Sequence, residues 1–195
     1  MKIFFYLVVC SSFLMMIGCS HTSQKVELPS LSHRESGWYM LSGPNQDTLS
    51  KTPIVTVKDF NELLLDSDQV GTYYITGKVS RYKQQEWADK THRSVGKYLA
   101  FVFQDSIITA PRVNARIESG MFQLSFPPGN NAKVKTLYQQ IRKEKIDSIE
   151  ALFQGWDKDT TFTLAQQDSI IFSLDYQEAK SWMEMSRPSS IPPKK

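Results

Sequence analysis

Six consecutive apolar residues, Tyr98-Leu99-Ala100-Phe101-Val102-Phe103, constrain the fold of this chain more than any other feature. A strand with one wet face alternates apolar and polar residues. An unbroken run of this length is expected of a strand covered on both faces. Gln104-Asp105-Ser106 follows as turn chemistry and sends Ile107-Ile108-Thr109 back alongside. Pro111 then stops further ladder pairing. Glu118-Ser119-Gly120 makes another turn before Met121 to Phe126, where Met121, Gln123 and Ser125 alternate with Phe122, Leu124 and Phe126.

The flanking sequence supplies the other layer. Trp38 to Leu41 follows Gly37 as an aromatic-rich strand, Gly43-Pro44-Asn45 is a turn, and Ile54, Val55 and Val57 form a second short β-branched run. Asp59 with Glu62 reads as a capping box opening a short helix over Phe60, Leu63 and Leu64. Thr72 to Thr76 and Val79 make a strand. Gln84 to Val95 carries Trp87, Ala88, Thr91 and Val95 at helical spacing, with Gly96 in the C′ position. Beyond Pro127-Pro128-Gly129, Asn130 or Asn131 caps the clearest amphipathic helix, with Val134, Leu137, Tyr138 and Ile141 on one stripe. Its outer face carries Lys133, Lys135, Arg142, Lys143 and Lys145, a solvated basic face rather than an anionic-lipid contact. Residues 146 to 160 are ambiguous. Thr161 to Leu164 and Ile170 to Leu174 suggest a closing hairpin around Gln167-Asp168-Ser169, and Tyr176 to Met185 a last short helix. The expected fold is a single α+β domain over residues 37–185, a mixed or antiparallel sheet with helices mainly on one face.

The first 18 residues form a separate unit. Lys2, an apolar stretch from Ile3 to Ile17 and a closing Gly18 have the layout of a secretory signal, too short to be a spanning helix. Met16-Ile17-Gly18-Cys19 resembles the lipobox of bacterial lipoproteins, with Met16 where that family usually has Leu. The resemblance implies that Cys10 leaves with residues 1–18 and that Cys19 is lipidated. Residues 19–36 are then a flexible tether, about 20 to 25 Å in span, and residues 186–195 a disordered tail. With both cysteines accounted for, the mature domain has no disulfide and is held by packing. Ser20 follows the cysteine and the first acid is Glu27. An outer-membrane position facing the periplasm is therefore favoured over the inner membrane.

Residues 87 to 125 resemble the head subdomain of the first periplasmic domain of the SecD and SecDF family, which assists protein export. That family runs helix, Gly-Lys, apolar strand, Asp turn, strand, Ala-Pro, Ile, Gly, strand. The matching positions are Trp87, Thr91, Gly96, Lys97, Leu99, Ala100, Asp105, Ile107, Ala110, Pro111, Ile117 and Gly120. The family usually follows its turn aspartate with glycine; this chain has Ser106. The fold-motif residues Gly96, Asp105, Ala110, Pro111 and Gly120 are architectural. The resemblance implies a fold more firmly than an activity.

Sequence chemistry narrows the function by what it lacks. With 23 basic and 20 acidic residues and no basic cluster on one face, nucleic-acid binding is not indicated. His21, His33 and His92 have no cysteine or carboxylate partners at ligand spacing, so no metal or other cofactor is expected. No phosphate-binding glycine loop or nucleophile elbow occurs, and Asp157 with Asp159 reads as a polar turn. The expected protein is therefore a non-catalytic, membrane-anchored envelope lipoprotein that binds another polypeptide, such as the translocon or an exported chain. Tyr73, Tyr82 and Trp87 are the candidate contact residues. A periplasmic hydrolase or ligand-processing enzyme, and a structural lipoprotein of no tight partner, are the alternatives.

Overall fold

A computed structural model describes residues 34–43, 45, 47–153 and 163–186. The signal, Cys19, the tether up to His33, the Asp157 to Asp159 turn, Thr161 and the tail beyond Ser186 lie outside those residues. β6 (Leu99–Phe103) is buried over its whole length. Leu99, Phe101 and Phe103 enter the main core, while Ala100 and Val102 join Tyr39, Leu41 and Leu49 in a second cluster. Both faces of the apolar run are thus covered. β6 pairs antiparallel with β1 (Gly37–Ser42) on one side and β7 (Ser106–Thr109) on the other. The two-residue strands β2 (Thr48–Leu49) and β3 (Val55–Thr56) pair with β1 and complete a five-stranded sheet.

A second antiparallel sheet runs β4 (Phe60–Ser67), β5 (Tyr73–Val79), β8 (Met121–Leu124) in that spatial order. The helices are α1 (Arg81–Arg93), α2 (Asn131–Glu150), α3 (Leu164–Ser173) and α4 (Tyr176–Ser186). The fold is α+β with two antiparallel sheets sharing one core. Trp38 and Phe101 from the first sheet meet Phe60, Ile75 and Phe122 from the second, and Val134 and Ile141 of α2 close the cluster. Ring centroids lie 5.4 Å apart for Trp38 and Phe101, and 4.6 Å for Phe60 and Phe122. Contacts at these spacings add roughly 0.5–1.5 kcal/mol each beyond area burial.

Gly77 on β5 permits this arrangement, because a Cβ there would collide with the Phe122 ring. Gly77→Ala is expected to cost about 1–3 kcal/mol by overpacking. Adding Phe122→Leu should recover part of that loss, and denaturant titration of the two variants checks it. At Gly120, φ is +75° and a Cβ would meet Val79 Cγ2 at 3.0 Å, so the turn into β8 needs a residue without one.

Two expected elements change type. Residues 59 to 64 are not a helix. Asp59 does cap, but it accepts from Thr56 N at 2.8 Å and Thr56 Oγ1 at 2.9 Å, closing a single 3₁₀ turn at Val57–Asp59. The chain then enters β4, whose register with β5 shifts between Phe60 and Glu62. That bulge puts Phe60 and Leu63 on one buried face at a spacing of three, which mimics a helical stripe. The hairpin expected around residues 167–169 is α3. Thr163 caps it: Gln166 N donates to Thr163 Oγ1 at 3.4 Å and Thr163 N donates to Gln166 Oε1 at 3.0 Å. This reciprocal cap, with Phe172 buried among the core residues, outweighs the β propensity of Ile170-Ile171-Phe172.

Two smaller corrections follow. Residues before Gly37, at the end of the expected tether, bond to the domain. Arg34 N donates to Asp105 Oδ1 at 3.1 Å, and Ser36 Oγ accepts from Gln104 N at 3.4 Å and donates to Glu144 Oε2 at 2.9 Å. Gly96, with φ +80°, follows α1 two residues beyond its C-cap Ser94, one residue later than a C′ glycine.

Candidate interaction surface

Sheet edges are where a main chain can still bond a partner, and each edge here meets a different fate. β4 is covered. Tyr138 Oη of α2 donates to Leu63 O at 3.4 Å, and α3 packs against the strand. An open groove of about 810 Å³ remains there, lined by Leu63, Leu64, Tyr138, Ile146 and Leu164 among charged neighbours. β8 is also engaged, because Trp87 Nε1 of α1 donates to Met121 O at 3.3 Å. β2 and β3 are two residues each, too short to recruit a strand.

β7 is different. It pairs with β6, and no hydrogen bond reaches its outer edge among the described residues. Ile107, Ile108 and Thr109 are half-buried, so the strand is held firmly from behind. The β6–β7 turn has Gln104 and Asp105 both at positive φ, 46° and 58°. Two such residues are the pattern of a type I′ hairpin, which the right-handed twist of the strands favours. Ser106 therefore begins β7 and does not itself sit in the turn. The Arg34 and Ser36 bonds to Asp105 and Gln104 fix the tip.

The three residues proposed as contacts do not converge. Trp87 is 1% exposed, with its ring 5.7 Å from Trp38 and 6.4 Å from Phe122. It is core, not contact surface, because its indole faces the sheets and its N–H is used on β8. Tyr82 is exposed on the first turn of α1, after β5 ends. Tyr73 begins β5, at its other end, half-buried with Lys135 Nζ 4.9 Å from its ring centroid. Of the architectural residues, Asp105 lies in the β6–β7 turn and Pro111 at the hairpin's other end, where its O accepts from Leu99 N at 3.1 Å, while Gly120 belongs to the second sheet, where its O accepts from Val79 N at 3.0 Å.

The basic face expected on α2 is only partly solvated. Arg142 lies over the rings of Phe172 at 4.7 Å and Tyr138 at 5.8 Å, and Lys143 Nζ bonds Asp147 at 2.8 Å. Lys145 is fully buried. Its Nζ donates to Lys58 O, and it feels the carboxylates of Asp59 and Asp175, both themselves buried. Loss of hydration is the larger effect and pulls its pKa from 10.5 down to about 8, against the upward pull of Asp175 and Asp59. Glu144 beside it is raised by burial, opposed by the Ser36 hydroxyl and Lys58. The sequence does hold a sign of Lys145's place. It lies four residues from both Ile141 and Ile149, on the stripe that faces the core.

Residues 36–142, from just before β1 to the middle of α2, match the family described as SecDF, P1 head subdomain. The chain belongs to this family. The remainder of α2, α3 and α4 lie beyond the match. A curated relative, protein translocase subunit SecD of Acidaminococcus fermentans, is 28% identical over 103 residues. The alignment covers 51% of this chain and 25% of that protein, so the chain spans about a quarter of its relative's length. Among solved structures, a SecDF described as a membrane component that enhances protein export aligns at TM-score 0.44 with 20% identity, over 52% of this chain and 44% of that one. SecDF in a super-membrane-facing form aligns at TM-score 0.37 with 24% identity, over 44% of this chain and 11% of that one. Among the described residues, no helix of this head subdomain is long and apolar enough to cross a membrane.

Proposed function

We propose that this chain is a lipid-anchored envelope protein without catalytic activity that binds another polypeptide along the outer edge of β7. The observation that carries this reading is the edge itself: a strand braced by the core behind it and by the N-terminal segment at its tip, with its outer main chain unbonded among the described residues. An extended segment pairing there gains main-chain hydrogen bonds whatever its sequence, which suits a protein that meets many chains. The family supports the choice of partner, since its relatives are a protein translocase subunit and a component that enhances protein export. An accessory role in export or envelope assembly follows. Cys19 is the proposed anchor, in the outer membrane with the domain facing the periplasm.

One experiment addresses both parts. A photo-crosslinking residue is placed at Thr109 in the full chain, expressed in its own cells, in native and Cys19→Ala forms. The native form is expected in the membrane fraction, joined to translocon subunits or exported chains. Cys19→Ala should move the domain to the soluble fraction and leave unprocessed precursor. If the variant is processed and stays membrane-bound, the anchor is not Cys19. If Thr109 forms no adduct while a crosslinker at exposed Tyr82 does, the β7 edge is not the binding site.

A further inference from the structure

The far end of the β6–β7 hairpin carries a second feature. The bend after α1 and the segment after β7 are laced together. Gly96 N donates to Val113 O and Val113 N to Lys97 O, each at 2.8 Å, and Arg112 Nε donates to Gly96 O at 3.2 Å. This fixed rim exposes Arg93, Val95, Lys97, Ala110, Pro111 and Arg112. Val95 is 45% exposed. No aspartate or glutamate occurs from Lys90 to Gln104 or from Ser106 to Ile117. Several cations elsewhere face carboxylates: Lys58 with Glu35, Lys83 with Glu86, Arg116 with Asp89 and Glu118, Lys143 with Asp147. Among the described residues Arg93 and Lys97 face none, and Arg112 spends its guanidinium on a carbonyl. The rim is therefore positive, apolar at its centre and rigid.

Chain entry at Arg34 is tied to Asp105, at the opposite end of β6 from the rim. Five strand residues put about 17 Å between that contact and the rim. β7 runs from the turn to the rim, ending at Ala110-Pro111.

We infer that Arg93, Lys97 and Arg112, around Val95 and Pro111, dock an acidic and apolar stretch of the extended polypeptide that pairs with β7. This rests on the β7 reading given under the proposed function and adds the class of segment that the surface selects. Unpaired cations beside an open edge favour carboxylates at one end of the added strand and oppose a basic segment there.

The test uses the full chain in detergent and fluorescein-labelled 12-residue peptides of alternating Val and Glu, or Val and Lys, read by anisotropy. The Glu peptide is expected to bind and the Lys peptide to bind at least tenfold more weakly. Arg93→Glu with Lys97→Glu and Arg112→Glu should reverse that order, with an unchanged melting curve. Lys51→Glu with Lys133→Glu, equally exposed and remote, should leave it unchanged. Arg112→Gln alone, which adds no charge, should weaken the Glu peptide several-fold and guards against a folding defect in the triple variant. If the remote pair weakens binding as much as the rim triple, the attraction is only net charge and the inference is overturned. Binding to phosphatidylglycerol vesicles without binding to the Glu peptide overturns it in favour of lipid. The Glu peptide N-methylated at alternate residues separates the two readings, because it cannot pair along a strand. If it binds as well as its parent and the rim triple abolishes both, the β7 reading fails and the rim stands. If methylation abolishes binding and the rim triple does not, the rim fails and the β7 reading stands.

Discussion

Trp87→Ala is expected to cost the domain about 3–5 kcal/mol, the loss found when a large aromatic is truncated in a packed core. The indole is 1% exposed and lies between Trp38 and Phe122, at the point where both sheets and α1 meet. Truncation opens a cavity in this packed aromatic cluster. It also leaves Met121 O without the Trp87 N–H that bonds it at 3.3 Å. Against a typical domain stability of about 5–15 kcal/mol, the variant keeps only part of its margin. Trp87→Phe retains most of the volume and loses the hydrogen bond, so a smaller cost of about 1–2 kcal/mol is expected. Tyr82→Ala, five residues earlier on the same helix but exposed, should fall within about 0.5 kcal/mol of the native chain. Denaturant unfolding followed by fluorescence and circular dichroism checks all three. If Trp87→Ala unfolds like the native chain, the indole is not the keystone of this core.

The contrast between Trp87 and Tyr82 shows what a sequence of this kind reveals. Helical spacing placed Trp87 in the expected helix over Gln84 to Val95, and the structure extends α1 back to Arg81 so that Tyr82 lies on it too. Only the position of β8 beneath α1 separates them. The β6 run was legible because burial on both faces leaves a mark no other element shares. The β6–β7 turn and the helix over Val134, Leu137 and Ile141 were legible for the same reason, each carrying a local chemical signature. β4 was not, because a bulge converted its period of two into a spacing of three. α3 was not, because its strand-like Ile170-Ile171-Phe172 run weighs more by eye than the Thr163 and Gln166 cap. The open edge of β7 cannot be read from sequence at all. Whether a strand ends a sheet depends on which distant segment lies beside it, and here α2 and α3 pack on β4 while no hydrogen bond among the described residues reaches the outer edge of β7. The rim was not legible either, since its acid-free stretches, Lys90 to Gln104 and Ser106 to Ile117, are separate in the chain. It became a surface when Gly96 and Val113 brought those stretches together.

Lys145 gives the domain a pH dependence of stability with a definite sign. Its pKa is about 8 in the folded chain against 10.5 when solvated, so the unfolded chain holds the proton more tightly. Stability therefore rises with pH while the folded amine is neutral and the unfolded one still charged. The gain is complete above the solvated pKa and lost as pH falls through the folded one. Between pH 7 and pH 10 it is worth about 2–3 kcal/mol by linkage, at 1.36 kcal/mol per pKa unit. Other groups work in the opposite direction at high pH. Lys58, Lys83 and Lys143 are raised by hydrogen bonds to Glu35, Glu86 and Asp147, and Tyr39 is raised by burial, so each withdraws stability as it deprotonates. The informative quantity is thus the difference between the native chain and Lys145→Met, which keeps the volume and removes the titration. That difference should shift by about 2–3 kcal/mol from pH 7 to pH 10, in favour of the native chain as pH rises. Asp175→Asn removes the larger of the two attractions on the ammonium, keeps a capping side chain at the start of α4, and should move the transition to lower pH. Chemical denaturation at half-unit steps of pH measures both. A native-minus-variant difference that stays flat across that range would mean that the Lys145 ammonium is hydrated in the folded chain. Its contact with Lys58 O would then not be the bond that joins α2 to the turn before β4.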